Sequence, residues 1–349
     1  MNQPGRRQSS FEDVPAIEEL VIKGAWVAYS VSGGKDSSAA IAATMPLLDQ
    51  AGHPREKRFL LHADLGRSEW KSTHPHVEEL ARHFDLPLHI VRHTTHDMVS
   101  RWNRRGELGR ERWARGETVN LIGPWSSASL RWCTSEMKIH VMSRHKKSLD
   151  EPVISVLGIR RDESRGRAAT PFCSVDTGMK RYKRDDCLSW NPIADWSSQD
   201  VFRIHEDQDI PLHEAYGMGS TRLSCNFCVL ASMNDLSIAA LQEQNLETYL
   251  TLVGMEVQYG FSFQPARWLA DVRPQALPQE MHKEIEKAKR QAETRRALEA
   301  SYPDAYRRRK MDELSMQDWN EIVRIRTEMS SIVGITDYIA DPRDAAKLG

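Results

Sequence analysis

Cysteine is scarce here: five residues in a chain of 349. So small and odd a number does not build the disulfide framework of a secreted mini-domain. Charge of one sign is lacking too. Lys and Arg number 48 against 49 Asp and Glu, a net charge of −1. No global field then draws the chain to nucleic acid, and any such contact has to come from a local patch. No apolar run approaches the ~20 residues of a membrane span. The opening MNQPGRRQSS carries two arginines but no apolar stretch of signal-peptide kind. The cytoplasm is therefore the expected compartment. Internal repeats and low-complexity linkers are absent as well. What remains, with 40% hydrophobic and 28% charged residues, is the composition of a soluble globular protein of one or two domains.

Two familiar phosphate signatures are also missing, Gly-x-x-x-x-Gly-Lys-Ser/Thr and Gly-x-Gly-x-x-Gly. In their place stands AWVAYSVSGGKDSSAAIAAT, from Ala25 to Thr44. An apolar, Val-rich run stops at Ser32-Gly33-Gly34-Lys35-Asp36-Ser37-Ser38, and an alanine-rich, helix-favouring segment follows. This reads as a strand, a tight glycine turn and a helix N-terminus. Glycines let the backbone approach an anion, and the free N–H groups of a first helical turn point at it. The helix dipole adds ~0.3–1 kcal/mol for a nearby anion. Lys35 brings a full charge, and Ser37 and Ser38 bring hydroxyl donors.

Residues 1–15 are polar and expected to be flexible, with a short lead-in helix between Phe11 and Lys23. Arg58–Ala63 reads as a second strand running into Asp64-Leu65-Gly66. Val77, Leu80, Ala81 and Phe84 recur at helical spacing, and Leu88–Val91 reads as a third strand. Strand, helix, strand, helix, strand implies a parallel sheet with right-handed crossovers. Ligands of such sheets bind beyond the carboxyl ends of the strands, where the glycine turn and Asp64 would lie. In Met98–Gly116, Arg101, Arg104, Arg105, Arg110, Arg112 and Arg115 interleave with Trp102 and Trp113. That mixture suits phosphates and exposed bases; it is also what a solvated helix face with two partly buried indoles looks like. Pro152–Ile159 reads as a central strand. Arg160, Arg161 and Arg167 follow it and form a candidate clamp for a triphosphate or sulfate. Beyond Cys228 the pattern is helical.

Cys225 and Cys228 form Cys-Asn-Phe-Cys, which by itself fits a redox pair, a zinc half-site or an iron–sulfur half-site. Cys133 lies far upstream in Arg-Trp-Cys. With Cys187 as fourth ligand, or Cys173 in its place, these would make a [4Fe–4S] or zinc site.

SGGKDSS resembles the pyrophosphate loop of the ATP pyrophosphatases, the adenine nucleotide α-hydrolases. Together with Asp64-Leu65-Gly66, HVEELARHFDLPL, RWCTSEMKI, GIRRDESRGR, the Pro192…Trp196…Asp200…Pro211…Tyr216 pattern and SCNFC, it is similar to their phosphoadenylyl-sulfate reductase-like branch. The resemblance runs from about Trp26 to Leu230. It implies an α/β fold, a Rossmann-like (HUP-like) parallel sheet with helices on both faces, over residues 16–232, with a helical region over 233–349. It implies ATP and Mg²⁺ held by Ser32, Gly33, Gly34, Lys35, Asp36, Ser37, Ser38, Asp64, Gly158, Glu163 and Arg167. Lys35, Asp36, Ser37, Arg160 and Arg161 would act in catalysis. Assimilatory sulfonucleotide reductases of the branch carry Cys-Cys where Trp132-Cys133 stands, and a catalytic cysteine near the C-terminus; here none follows Cys228. Arg-Trp-Cys-Thr, Gly-Ile-Arg-Arg-Asp-Glu-Ser and Cys-x-x-Cys are closer to the DndC-type and SspD-type proteins of bacterial DNA phosphorothioation. That resemblance implies cleavage of ATP to AMP and pyrophosphate to activate the DNA backbone for sulfur. It also implies DNA, a cysteine desulfurase and other phosphorothioation proteins as partners, and a homo-oligomer as one possible state. A tRNA thiolation enzyme and a sulfonucleotide reductase-like enzyme are the alternatives.

Overall fold

The structure, a computed structural model, describes residues 10–345. Most of the expected flexible N-terminus, residues 1–9, lies outside them; within the rest, Phe11–Asp13 forms a 3-10 turn and Val14 is buried. The chain divides into two compact units. One combines Met1–Asp97 with Arg131–Ile238, the other Met98–Leu130 with Ala239–Gly349.

The first unit is built on six strands, β1 (Trp26–Val31), β2 (Arg58–Asp64), β3 (Leu88–Arg92), β4 (Val153–Val156), β5 (Cys173–Val175) and β6 (Leu188–Trp190). Their order is β3-β2-β1-β4-β6-β5. All neighbours are parallel except β5, which runs antiparallel to β6 at one edge. From β1 the chain winds outward to β2 and β3, then returns to place β4 on the other side. That reversal leaves a crevice at the carboxyl ends of β1 and β4. Helices α1 (Pro15–Ile22), α2 (Lys35–Gln50) and α3 (Thr73–Phe84) follow the expected pattern. α3 buries Val77, Leu80, Ala81 and Phe84, the residues whose spacing predicts it.

Two features differ from expectation. The strand expected over Pro152–Ile159 ends at Val156; Leu157 still donates to the Trp190 carbonyl, and at Gly158 the chain runs against Asp36 and Ser37 of α2. The short strands β5 and β6 are additional, three residues each, too brief to show a period of two. They are anchored by a buried network in which Lys146 and Ser155 both reach the Asp176 carboxylate. Burial raises that carboxyl, but the Lys146 ammonium and the two donors override it and hold it below its usual range.

In the second unit, α4 (Met98–Ala114) buries Met98, Val99, Trp102, Gly106, Gly109 and Trp113. Spacings of three and four mark a core-facing stripe. A Cβ on Gly106 would stand 2.6 Å from the Tyr259 ring, and one on Gly109 would stand 2.1 Å from the Ile122 carbonyl oxygen. The glycines thus let the helix press close. Trp113 packs with Leu298, Tyr302, Ile322, Ile325 and Met329. This corrects the base-stacking reading: both indoles are core. The arginines are largely occupied too. Arg104 pairs with Glu107 and Glu111, Arg112 and Arg115 pair with Glu117, and Arg110 donates to the Val333 carbonyl.

Candidate active site

β1 ends at Val31, and residues 32–34 carry the chain into α2, whose N-cap is Gly34. Gly33 has φ +76°, a left-handed conformation that glycine adopts without the penalty a side chain brings. The loop is held from behind by three histidines of the first unit. The His62 Nδ1 lies 3.0 Å from the Val31 carbonyl oxygen. His76 packs on Gly33, its Cδ2 lying 3.3 Å from where a Gly33 Cβ would stand. The His205 Nε2 lies 2.9 Å from the Lys35 carbonyl oxygen. Carbonyls 31 and 35 are therefore each gripped by an imidazole, and a third ring, from another element, covers Gly33 between them. All three rings are buried.

Electrostatics separates these rings. Burial alone would lower His62, but its bond to Glu69, 3.2 Å away, overrides this and raises it. His76 is pushed below its usual value by burial, with Glu79 opposing. Its edge-on neighbour His213, 5.3 Å away between ring centroids, is pushed down to about 4 by burial and by the His76 charge. The His213 Nδ1 already accepts the Ala215 N–H, and its Nε2 faces the Ser72 hydroxyl, so no acceptor awaits a second proton.

The expected loop residues fall into distinct roles. Lys35 is buried and pairs with Asp36 at 3.1 Å; its ammonium lies 5.6 Å and 5.5 Å from the ring centres of Phe202 and Tyr216. Asp36 also accepts from Arg160 at 2.6 Å. Ser32 is exposed. The Ser37 hydroxyl donates back to the Gly34 carbonyl at 2.7 Å. Ser38 is turned inward, its hydroxyl 3.1 Å from the Lys35 carbonyl and 3.1 Å from His205. It braces the turn instead of facing a ligand. Gly158 has a steric role: a Cβ there would lie 2.4 Å from the Asp36 carbonyl carbon and 2.6 Å from the Ser37 nitrogen. The chain leaving β4 thus runs directly against the first turn of α2. Asp64 accepts the Gly66 N–H at 2.7 Å and sits 3.6 Å from Arg92.

The expected arginine clamp is rearranged. Arg160 is buried, bonded to Asp36, Asp162 and the Trp196 carbonyl, so it orders the loop. Arg161 turns away to Asp195 and the Thr170 carbonyl and lies over the Phe172 ring. Arg167 stays with the loop, paired to Glu163. Burial lowers it, and Arg131 and Arg222 lower it further. Arg131 and Arg222 are both exposed, and among the described residues neither has an ion-pair partner. These two supply the surplus positive charge that the motif arginines do not.

The cysteines also separate. The Asn226 N–H bonds the Ser68 carbonyl, which places Cys225 and Cys228 beyond the carboxyl end of β2. Burial pushes the Cys225 thiol up to about 12; Lys138 opposes, while Cys228, Glu69 and Cys133 add. Cys133, Cys225 and Cys228 thus share one electrostatic neighbourhood. Cys187 does not join them. It precedes β6 at the amino edge of the sheet, packed with Ala28, Phe59, Leu61 and Val153, about one strand length, roughly 15 Å, from the loop edge. Cys173 lies on β5, four strand spacings from β2, roughly 19 Å. The fourth-ligand expectation therefore fails for both on geometry. Among the described residues no group of three or more His, Cys, Asp or Glu is set to hold a metal ion. A four-cysteine cluster or zinc site does not fit, and no step is derived through one.

The model of the phosphoadenosine phosphosulfate reductase domain family matches residues 26–231, more than half of the chain. The chain belongs to this family. The reductase-family stretch is 30% identical over 120 residues to the adenosine 5'-phosphosulfate reductase of Rhizobium tropici, covering 34% of this chain and 61% of that protein. An uncharacterized 37.8 kDa protein of Escherichia phage 186 is 30% identical over 124 residues, 33% of this chain and 34% of the phage protein. An uncharacterized protein of Methanocaldococcus jannaschii is 25% identical over 202 residues, 58% of this chain and 41% of that one. The chain thus spans less than two thirds of each of these relatives. The crystal structure of phosphoadenylyl-sulfate reductase from Candida auris, a phosphate complex, matches at a TM-score of 0.38 and 15% identity, over 60% of this chain and 86% of that chain. No helix of the described residues is long and apolar enough to cross a membrane.

Two measurements check the site. Gly158→Ala is expected to displace the first turn of α2, costing ~1–3 kcal/mol and weakening anion binding; Gly166→Ala, with nothing within 4 Å, is expected to leave both thermal midpoint and binding unchanged. His213 sets a pH dependence. Between about 4 and 6.5 the unfolded chain binds a proton that the folded one refuses, so stability falls as pH drops through that window, by roughly 3 kcal/mol in all. Above that window this contribution is constant. Thermal midpoints by circular dichroism at several pH values are expected to show the fall, and to show less of it in His213→Gln.

Proposed function

We propose that this chain is a sulfur-transfer enzyme driven by an adenine nucleotide, whose anionic end sits on Ser32–Ser37. The observation that carries the reading is the loop: a left-handed Gly33, carbonyls 31 and 35 gripped by histidines with a third histidine packed on Gly33, and Lys35 at a helix N-terminus. A loop so held pre-organises N–H donors and charge for a leaving phosphate or sulfate. Asp36, the one carboxylate in the loop, has its oxygens taken by Lys35 and Arg160. Magnesium would therefore enter on the nucleotide's own phosphates.

Two chemistries use this seat. In the first, backed by the named reductase relatives, a thiolate attacks the sulfur of a sulfonucleotide, forming an S–S bond and releasing AMP. Cys133 and Cys228 are the candidate thiols, since burial leaves Cys225 protonated. In the second, ATP is cleaved between its α and β phosphorus atoms. An acceptor oxygen, of a DNA phosphodiester or of tRNA, becomes adenylylated, pyrophosphate leaves, and sulfur displaces AMP. What speaks for this second reading is SGGKDSS itself, which resembles the pyrophosphate loop of the ATP pyrophosphatases. DNA phosphorothioation, with a cysteine desulfurase as sulfur donor, is its specific form.

One assay separates them. Protein is incubated with adenosine 5'-phosphosulfate plus dithiol, or with magnesium-ATP plus DNA or tRNA, and sulfite, AMP and pyrophosphate are quantified. Sulfite release supports the first chemistry and pyrophosphate release the second. In either, Lys35→Ala is expected to cut the rate at least ~100-fold. Full activity in Lys35→Ala would remove the loop from the reaction.

A further inference from the structure

The hydroxyl of Tyr216 is bonded in one direction only. It accepts the Lys35 N–H at 3.1 Å and the Leu223 N–H at 3.3 Å. Two donors fill the lone pairs of a phenol oxygen, which leaves its own proton to be placed. Among the described residues no acceptor takes that proton. Burial pushes the phenol up to about 12, so the proton is present at neutral pH. The oxygen lies 3.6 Å from where a Gly34 Cβ would stand, and the Ser32 hydroxyl lies 3.5 Å from the same point. The two hydroxyls therefore border the space that Gly34 leaves open by having no side chain.

We propose that Tyr216 is a ligand-contacting residue of this site, donating its hydroxyl proton to a terminal phosphate or sulfate oxygen seated on the loop. This rests on the loop being the nucleotide seat. The same oxygen joins α2, through Lys35, to the segment that carries Cys225, through Leu223. A hydroxyl that donates to an anion becomes a better acceptor, so ligand binding tightens the link between the phosphate loop and the cysteine segment. Leu223 already packs over the loop, its Cδ2 lying 3.2 Å from the Gly33 Cβ position.

The test is calorimetric titration of pyrophosphate into the whole protein. Tyr216→Phe is expected to weaken affinity at least ~10-fold, as for a lost hydrogen bond to a charged group, while circular dichroism stays native. Fluorotyrosine incorporated at position 216 keeps the fold under control: a more acidic phenol donates better and accepts worse. Tighter pyrophosphate binding together with a lower thermal midpoint is the expected pair of results. A purely bracing hydroxyl would weaken both, and that outcome, or unchanged affinity in Tyr216→Phe, overturns the proposal. Failure of the unmodified protein to bind pyrophosphate would instead overturn the loop reading beneath it.

Discussion

Two hydrogen bonds from buried imidazoles to carbonyls 31 and 35, with a third ring packed on Gly33 between them, hold this turn in place. A glycine turn between a strand and a helix is soft, because its backbone has few steric limits. By fixing carbonyls 31 and 35 from β2 and the helix Ser198–Asp207, and covering Gly33 from α3, the fold removes that softness from one side only. On the other side the Lys35 N–H is met by the Tyr216 hydroxyl. Gly158 completes the support by letting the chain after β4 touch the first turn of α2. An unsupported loop would have to be ordered by its ligand, at a cost of roughly 1–2 kcal/mol per residue fixed.

Much of this was legible in the chain, and the reason is locality. SGGKDSS declares its turn and helix start within seven residues, and α3 shows its core face by spacing alone. The histidines were not legible: His62, His76 and His205 lie on three separate elements, and no pattern within any one of them marks a contact with the loop. The arginine run after β4 misled for the same reason. Its composition suggested a clamp, whereas neighbouring carboxylates, Asp36, Asp162 and Asp195, decide which guanidinium is available. In α4 the burial follows the helical period and not the basic composition. Val99, Trp102, Gly106, Gly109 and Trp113 follow a helical stripe, and glycine in that stripe means close packing.

The cysteines show how sheet topology limits chemistry. Cys133, Cys225 and Cys228 are far apart in sequence yet gather at the carboxyl edge, the edge at which parallel α/β sheets place their ligands. Cys187 is nearer in sequence to Cys225 than Cys133 is, and it sits at the opposite end of the strands. Membership of the phosphoadenosine phosphosulfate reductase domain family agrees with a nucleotide at that edge and with thiols beside it. It leaves the choice between sulfonucleotide and ATP to the products formed.

A crystal structure with a bound adenine nucleotide tests the central claim most directly. The terminal phosphate or sulfate is expected within hydrogen-bond distance of residues 32–37, with the two histidine–carbonyl bonds unchanged from those seen here. A nucleotide whose anionic end lies elsewhere, with the loop carrying no ligand, would contradict it.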